Sequence, residues 1–292
     1  MNFAPLQSKI IAWYRDNARS IVWRNPHTSA WGVLLSEVMS QQTQVSRVEP
    51  IWQAWMQRWP TPADFAAAPR ADILRAWGKL GYPRRALRLH ECARIITQDY
   101  GGEVPQDVDE LLALPGIGDY TARAVAAFAY GQRVPVVDTN VRRVLNRLIH
   151  GRFLAGNAAK RELKEVEALL PEDDAPVFSV GLMELGALVC TPKPLCQQCP
   201  VIQQCQWQAL GKPMPTDEEL AAKKRRQQKF QGTDRQVRGL IMDALRSADR
   251  PLSQADIDVV WPDAAQRSRA LYSLLEDHLA EQTEQGTFRL PQ

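Results

Sequence analysis

No apolar stretch in the 292-residue chain approaches the roughly 18 residues that a bilayer-spanning helix requires, so no membrane anchor is expected. The first residues, Met1-Asn2-Phe3-Ala4-Pro5, hold no basic region followed by a long apolar segment. No secretory leader is therefore expected, and the protein is expected in the cytoplasm. Charge of one sign is scarce: 36 Lys and Arg stand against 33 Asp and Glu, a net charge of +3, which by itself gives little reason to expect a polyanionic partner. No segment recurs at a fixed period. Cysteine is sparse, with five residues in the chain, and a disulfide framework is not expected in a cytoplasmic chain of this size.

What remains is a globular composition, 45% hydrophobic and 24% charged, with a length that suits roughly two domains. Apolar residues recur at three- and four-residue spacing over residues 30–58, 71–80, 84–99, 107–113, 119–131, 140–149 and 158–170, which predicts helices there. Turns fall at Pro60-Thr61-Pro62, Gly101-Gly102 and Leu114-Pro115-Gly116-Ile117-Gly118. A polar, charged stretch at 211–232 reads as a linker. Beyond it, short helices followed by a hairpin-like segment ending near Leu290 suggest a small winged-helix-like module. The basic residues cluster as Arg84, Arg85 and Arg88, as Arg142, Arg143 and Arg147, and as Lys223, Lys224, Arg225 and Arg226. Each cluster reads either as a phosphate-neutralising patch or as a solvated helix face.

Four of the cysteines, Cys190, Cys196, Cys199 and Cys205, follow the spacing C-x5-C-x2-C-x5-C. A structural zinc site more often uses two C-x2-C pairs. Irregular spacing in a compact loop suits a [4Fe–4S] cluster held by four thiolates, and zinc stays as the alternative. Cys92 sits in a helical pattern among Leu89, Ile95 and Ile96 and reads as core.

Three further places carry chemistry. The glycines Gly116 and Gly118 lie in a turn between two helical patterns, where free amides at a helix start can bind phosphate; a plain connector is the alternative. Glu37 falls within the apolar arc of its helix between Val33 and Val48, with Gln41 and Gln44 continuing a polar stripe. A carboxyl group in that setting can act as a general acid, or it can simply edge the core. Asp138 stands just ahead of the 140–149 helix, where it can cap the helix and also present an anion to a developing positive charge.

Taken together these segments, from about residue 20 to about 208, resemble the helix-hairpin-helix DNA glycosylases that include endonuclease III, and within them the adenine DNA glycosylases of the MutY family. Ser36-Glu37-Val38-Met39 with Gln41-Gln42-Thr43-Gln44-Val45 looks like the catalytic-glutamate helix of the family. Leu114-Pro115-Gly116-Ile117-Gly118 with Tyr120-Thr121-Ala122 is similar to its hairpin. Val137-Asp138-Thr139-Asn140-Val141 carries its catalytic aspartate, and the four cysteines match its cluster.

The resemblance implies an all-α, helix-hairpin-helix DNA glycosylase fold: a six-helix bundle over 29–133, an iron–sulfur-cluster helical domain from 1–28 with 134–210, the basic linker at 211–232 and the C-terminal module at 233–292. It implies a monomeric, nucleoid-associated repair enzyme acting on double-stranded DNA that holds adenine opposite 8-oxoguanine or guanine. Glu37 would protonate N7 of the flipped adenine, and Asp138 would stabilise the oxocarbenium-like sugar before water adds. Tyr120 and Asn140 would orient the aspartate and the water. Gln42, Leu80 and Tyr82 would wedge into the stack and meet the opposite base, and Glu184 would border the adenine pocket. Tyr120 stands where the endonuclease III branch has a lysine, so little strand cleavage is implied.

The chain departs from the family in its first cysteine spacing, five residues where six are usual. It also reads Lys79-Leu80-Gly81-Tyr82-Pro83 in place of Gly-Leu-Gly-Tyr-Tyr. Its tail from Thr233 to Gln292 does not resemble the usual Nudix-like domain. Arg235, Arg238 and Arg246 of that tail, with the 223–226 run, are expected to add sequence-independent DNA affinity. The competing functions are excision of thymine or uracil opposite guanine, and a non-catalytic iron–sulfur DNA-binding protein.

Overall fold

The computed structural model describes residues 3–225 and 230–292. Arg226 and the side chains of Lys223 and Arg225, from the expected basic run, lie outside the described residues. In chain order α1 spans Ala4–Asn17, α2 Ala30–Ser40, α3 Val45–Arg58, α4 Pro62–Ala66, α5 Arg70–Trp77, α6 Arg84–Asp99, α7 Val108–Ala113 and α8 Asp119–Tyr130. Then follow α9 Thr139–Leu148, α10 Arg161–Leu169, α11 Ala175–Leu188, α12 Gln206–Ala209, α13 Asp217–Arg225, α14 Asp234–Ser247, α15 Gln254–Asp258 and α16 Ala264–Glu276. A short antiparallel pair, β1 Glu281–Gln282 and β2 Phe288–Arg289, closes the chain. The fold is helical, as the apolar spacing implies, and no helix is long and apolar enough to cross a membrane among the described residues.

Three sequence expectations change. The pattern over 30–58 is two helices, because Gln42 takes a left-handed conformation (φ 57°) that ends one helical run before the next begins. The helix α11 falls outside the periodic segments because it buries residues on several faces, from Ala175 and Phe178 to Leu185 and Gly186. A helix covered all round shows no one-sided stripe. The linker at 211–232 contains α13, whose first turn carries Asp217, Glu218 and Glu219, acids well placed at the positive end of the helix dipole.

Contacts divide the chain into two compact units. One comprises Met1–Val33, Gln106–Leu112 and Ile117–Arg226. Its core gathers Leu6 and Ile10 of α1, Val141, Val144 and Leu145 of α9, Val166 of α10, and Phe178, Leu182 and Leu185 of α11. The apolar positions of α9 fall on one side, so burying them fixes which way its first residues face.

The other unit comprises Leu34–Pro105, Ala113–Gly116 and Gln227–Gln292. Its centre is aromatic: the Trp55 ring lies 5.1 Å from Trp59, 5.0 Å from Phe65 and 5.7 Å from Trp77 between centroids. In the tail, α14 and α16 pack together, and α14 also packs on α5. Ser253 and Asp256 form a capping box at the start of α15, and Asp263 caps α16. Leu252 bonds Phe288 in both directions (2.7 and 2.8 Å), adding a third extended segment to the hairpin. The tail thus holds three helices and a small antiparallel ribbon of three extended segments.

Candidate functional site

Asp138 caps α9. Its Oδ1 accepts from the Val141 backbone N–H at 2.6 Å, and its Oδ2 accepts from Asn140 Nδ2 at 2.8 Å. Burial pushes this carboxyl above its ordinary range, against the pull of those two donors and of the nearby Arg143 guanidinium. The network continues: Arg143 Nη2 donates to Asn140 Oδ1 (2.7 Å) and to the Gly186 carbonyl (2.6 Å), and its Nε donates to the Cys190 carbonyl (2.6 Å). A line of hydrogen bonds therefore runs from Asp138 through Asn140 and Arg143 to the first residue of the cysteine set. The amide of Asn140 is held at both ends, which fixes its rotamer and the donor it offers the aspartate.

Gly186 makes this closeness feasible. A Cβ there would stand 2.6 Å from the Asn140 Cβ and 2.9 Å from its carbonyl oxygen. Tyr120, in the first turn of α8, is half-buried and packs on the cluster of Ala124, Ala127 and Val136, two residues ahead of Asp138.

Glu37 belongs to the other unit. It is half-buried on α2 between the buried Ser36 and Val38. Past the end of that helix, Arg85 of α6 gathers the chain. Its Nη1 donates to the carbonyls of Val38 (2.7 Å) and Gln41 (2.9 Å), and its Nη2 to those of Leu80 (3.3 Å) and Gly81 (3.1 Å). Thr43 Oγ1 also donates to the Leu80 carbonyl at 3.1 Å. Gln42 and Tyr82 are thereby brought together. Both are exposed, and both hold left-handed backbone, at φ 57° and 47°. Leu80 is 4% exposed and Tyr82 44%. Loss of solvent lowers the Arg85 pKa to about 10.

In the turn between α7 and α8, Gly116 takes φ 81° and would meet the Arg88 Cβ at 2.9 Å if it carried a side chain. Gly118 has an ordinary φ of −101° and is exposed, and a Cβ added there would find no neighbour within 4 Å. The fold itself makes no demand for glycine at 118. Glu184 is fully buried (0%) and bonded by Arg19 Nε (2.8 Å) and Nη2 (2.6 Å) and by Arg24 Nη2 (2.8 Å). Burial raises its pKa, but the two guanidiniums outweigh burial and hold it below the usual range.

The four cysteines line one pocket, partly open to solvent, together with Arg147 and Trp207. Arg147 is 2% exposed. Its Nη1 donates to the Thr191 carbonyl at 2.6 Å and lies 3.4 Å from Cys190 Sγ, while its carbonyl receives Cys205 Sγ at 3.5 Å. Burial raises the Cys190 thiol, opposed by Arg147, and pushes Cys199 up to about 11. Metal ligation would supply the positive charge that favours the thiolate form of Cys190 and Cys199 against this burial. Among the described residues no group of three or more His, Cys, Asp or Glu is drawn together as if round an ion. The donor set fits a metal centre in its chemistry and in its shared cavity. Cys92 is fully buried and raised to about 12, in keeping with a core role.

The basic clusters need correction. Arg142 pairs with Glu162 (2.8 Å), and Arg143 and Arg147 are committed to carbonyls, so that cluster is internal wiring. Arg85 is likewise committed, and Arg84 pairs with Asp277 (3.0 Å). In the tail, Arg238 pairs with Asp277 (2.6 Å), while Arg246 pairs with Asp243 (3.0 Å) and donates to the Leu74 carbonyl (3.0 Å). Neither is free to meet phosphate as expected. Sequence distinguishes a basic residue from a neutral one, but not a solvated guanidinium from one already bonded.

Comparisons with known proteins agree on the family. Residues 35–170 match the HhH-GPD superfamily of base excision DNA repair proteins. The chain is 56% identical over 293 residues to an adenine DNA glycosylase of Mycolicibacterium smegmatis, covering 99% of this chain and 97% of that protein. It is 40% identical over 210 residues to the human adenine DNA glycosylase, covering 68% of this chain and 38% of the human one. Among solved structures it is similar to a thermostable thymine-DNA glycosylase, with TM-score 0.67 and 29% identity over 71% of this chain and 97% of that one. A non-covalent endonuclease III–DNA complex shares the fold, with TM-score 0.62 and 24% identity over 73% of this chain and 100% of that one. With its helical fold and near full-length likeness, the chain belongs to the adenine DNA glycosylases, DNA-binding hydrolases of base excision repair within the helix-hairpin-helix superfamily.

Proposed function

We propose that this glycosylase removes adenine paired with 8-oxoguanine or guanine in double-stranded DNA, as a monomer and with little strand cleavage. The observation that carries the reading is Asp138: one half-buried carboxylate with a backbone N–H on one oxygen and the Asn140 amide on the other. An anion so held needs no reorganisation when positive charge grows on the neighbouring sugar.

In this reading Glu37 donates a proton to N7 of the extruded adenine, which turns the base into a neutral leaving group. The bond from C1′ to N9 then breaks, its electron pair leaves with adenine, and Asp138 stabilises the oxocarbenium-like sugar. Water adds to C1′ and gives up its proton, leaving an abasic site. Asn140 holds the aspartate, and Tyr120 flanks it without an amine that could form a Schiff base. Gln42 and Tyr82 meet the base opposite the adenine, with Leu80 behind them, and Glu184, joined to Arg19 and Arg24, borders the adenine. Gly116 shapes the hairpin turn, and Gly118 leaves the start of α8 open for a phosphate.

Cys190, Cys196, Cys199 and Cys205 hold a [4Fe–4S] cluster in this reading, with Arg147 beside Cys190 offsetting thiolate charge. When bound, the cluster supplies four metal–thiolate links between the end of α11 and the start of α12. We assign the bundle to 29–133, the cluster domain to 1–28 with 134–210, the linker to 211–232 and the tail module to 233–292.

The test is alkali-developed cleavage of duplexes carrying adenine opposite 8-oxoguanine, guanine or cytosine, with thymine and uracil opposite guanine as further arms. Adenine release opposite 8-oxoguanine and guanine, and little opposite cytosine, is the expected result. Release of thymine or uracil in preference to adenine would overturn it.

A further inference from the structure

Residues 233–292 carry seven arginines and no lysine against ten acidic residues. Six of the seven arginines are paired with an acid inside the module: Arg238, Arg246, Arg250, Arg267, Arg269 and Arg289. Affinity for a phosphate backbone comes from cations free to displace counterions. A module that is acidic on balance and has spent its guanidiniums internally is poorly equipped for that work.

The seventh, Arg235, lies with its Cζ 4.5 Å from the centroid of the Tyr82 ring. It is exposed and makes no part of the module's own core. The module meets the same loop and its flanks at several other points. Lys79 pairs with Asp243 (3.5 Å), Arg84 with Asp277 (3.0 Å), and Arg246 donates to the Leu74 carbonyl (3.0 Å).

The loop these contacts converge on is conformationally expensive. Gly78, Gly81 and Tyr82 all hold positive φ, at 52°, 82° and 47°. A left-handed tyrosine persists only where its surroundings over-determine it. From its own unit the loop has Trp77 Nε1 on the Gly81 carbonyl (2.9 Å) and Arg85 on two carbonyls, with the Arg85 guanidinium 5.8 Å from the Tyr82 ring. Those bonds fix the backbone near Gly81. Of the two guanidiniums beside the Tyr82 ring, Arg235 is the nearer, at 4.5 Å against 5.8 Å for Arg85.

We propose that the C-terminal module is a brace for the 78–82 loop and not a grip on DNA, and that Arg235 is a positioning residue that sets how Tyr82 meets the base opposite the adenine. The lesion-reading part rests on Tyr82 contacting that base, as proposed above; the bracing part does not.

The test compares the full chain with R235A, R235K and Y82A. The readouts are single-turnover excision of adenine opposite 8-oxoguanine and opposite guanine, affinity and salt slope on a matched duplex, and amide hydrogen exchange over residues 78–86. R235A should speed exchange in that stretch and lower the 8-oxoguanine-to-guanine rate ratio by about two- to fivefold, the scale of one exposed cation–π contact. R235K should recover part of the ratio, and the matched-duplex affinity and salt slope should stay as in the parent. A weaker matched duplex and a salt slope lower by about one unit in R235A, with exchange and ratio unchanged, would overturn the brace. If Y82A leaves the ratio intact while R235A still speeds exchange, the reading of Tyr82 fails and the brace stands.

Discussion

A side chain at Gly186 would collide with Asn140: its Cβ would come within 2.6 Å of the Asn140 Cβ. The two helices therefore approach at glycine so that Asn140 can reach Asp138 on one side and Arg143 on the other. Replacing Gly186 with Ala adds a better helix former, yet the clash is with a helix start fixed by its own cap. We expect G186A to lose about 1–3 kcal/mol of stability, the usual range for overpacking, and to lose excision rate disproportionately because Asp138 is displaced. Thermal unfolding together with single-turnover rates checks this, and a variant with normal rate and stability would show that the approach is slack.

Removing either carboxylate should stop chemistry and spare binding. E37Q keeps the shape of the side chain but has no proton to donate, and D138N keeps the cap but not the charge. Each should slow excision by at least about 10²–10⁴-fold while affinity for an adenine–8-oxoguanine duplex stays close to the parent's. More than about a tenth of the parental rate in either variant would remove that residue from the reaction, since loss of a general acid is rarely so mild.

Asp138 also predicts a pH signature. Burial raises its pKa, and the Asn140 amide opposes the rise by bonding the ionised form. In the proposed reaction Asp138 acts ionised, so excision should fall as pH drops through this raised value. N140A removes a donor from the carboxylate, and its acid limb should move to higher pH. Stability runs the other way. A carboxyl with a raised folded pKa favours the folded state while protonated, and that contribution is lost as pH rises through the folded pKa. D138N should therefore gain in melting temperature over the parent near neutrality, and the gain should shrink in acid. An acid limb that stays in place in N140A would break the link between the two residues.

The cysteine cavity gives a compositional check. The purified chain should be yellow-brown with about four irons per chain, and C199S should lose iron, colour and thermal stability together. Colourless protein holding one zinc and excising at the full rate would reassign the cavity.

The parts of this site that could be read in the sequence are those whose partners are themselves sequence-local or chemically rare. Asp138 could be read because an N-cap bonds a residue three positions on. The cysteines could be read because four thiols within 16 residues are unusual. Arg85, Arg143 and Arg147 were legible only as charge. Among their partners are backbone carbonyls more than 40 positions away, such as Val38 for Arg85 and Thr191 for Arg147. Every residue owns a carbonyl, so such bonds leave no signature until the chain is folded. Arg235 is hidden for a similar reason, because Tyr82 is brought to it by the packing of α14 on α5. The break at Gln42 was also invisible, since a left-handed glutamine looks like any other in a helical pattern.

A lysine in place of Tyr120 should convert the reaction type. This residue is the second of α8, just after the N-cap Gly118, and it packs on the cluster that includes Val136 near Asp138. A lysine there can lay its methylene stem on the same apolar cluster, and the positive end of the helix dipole would lower its amine pKa and increase the neutral, nucleophilic fraction. In Y120K the amine would attack C1′ as adenine leaves, opening the sugar to a Schiff base with the loss of a proton. Loss of the C2′ proton would then expel the 3′ phosphate and cleave the strand. Borohydride, which reduces the Schiff base to a stable amine, should trap a protein–DNA adduct with Y120K and little or none with the parent. A folded, DNA-binding Y120K that releases adenine yet gives neither adduct nor cleavage would mean that residue 120 does not reach C1′.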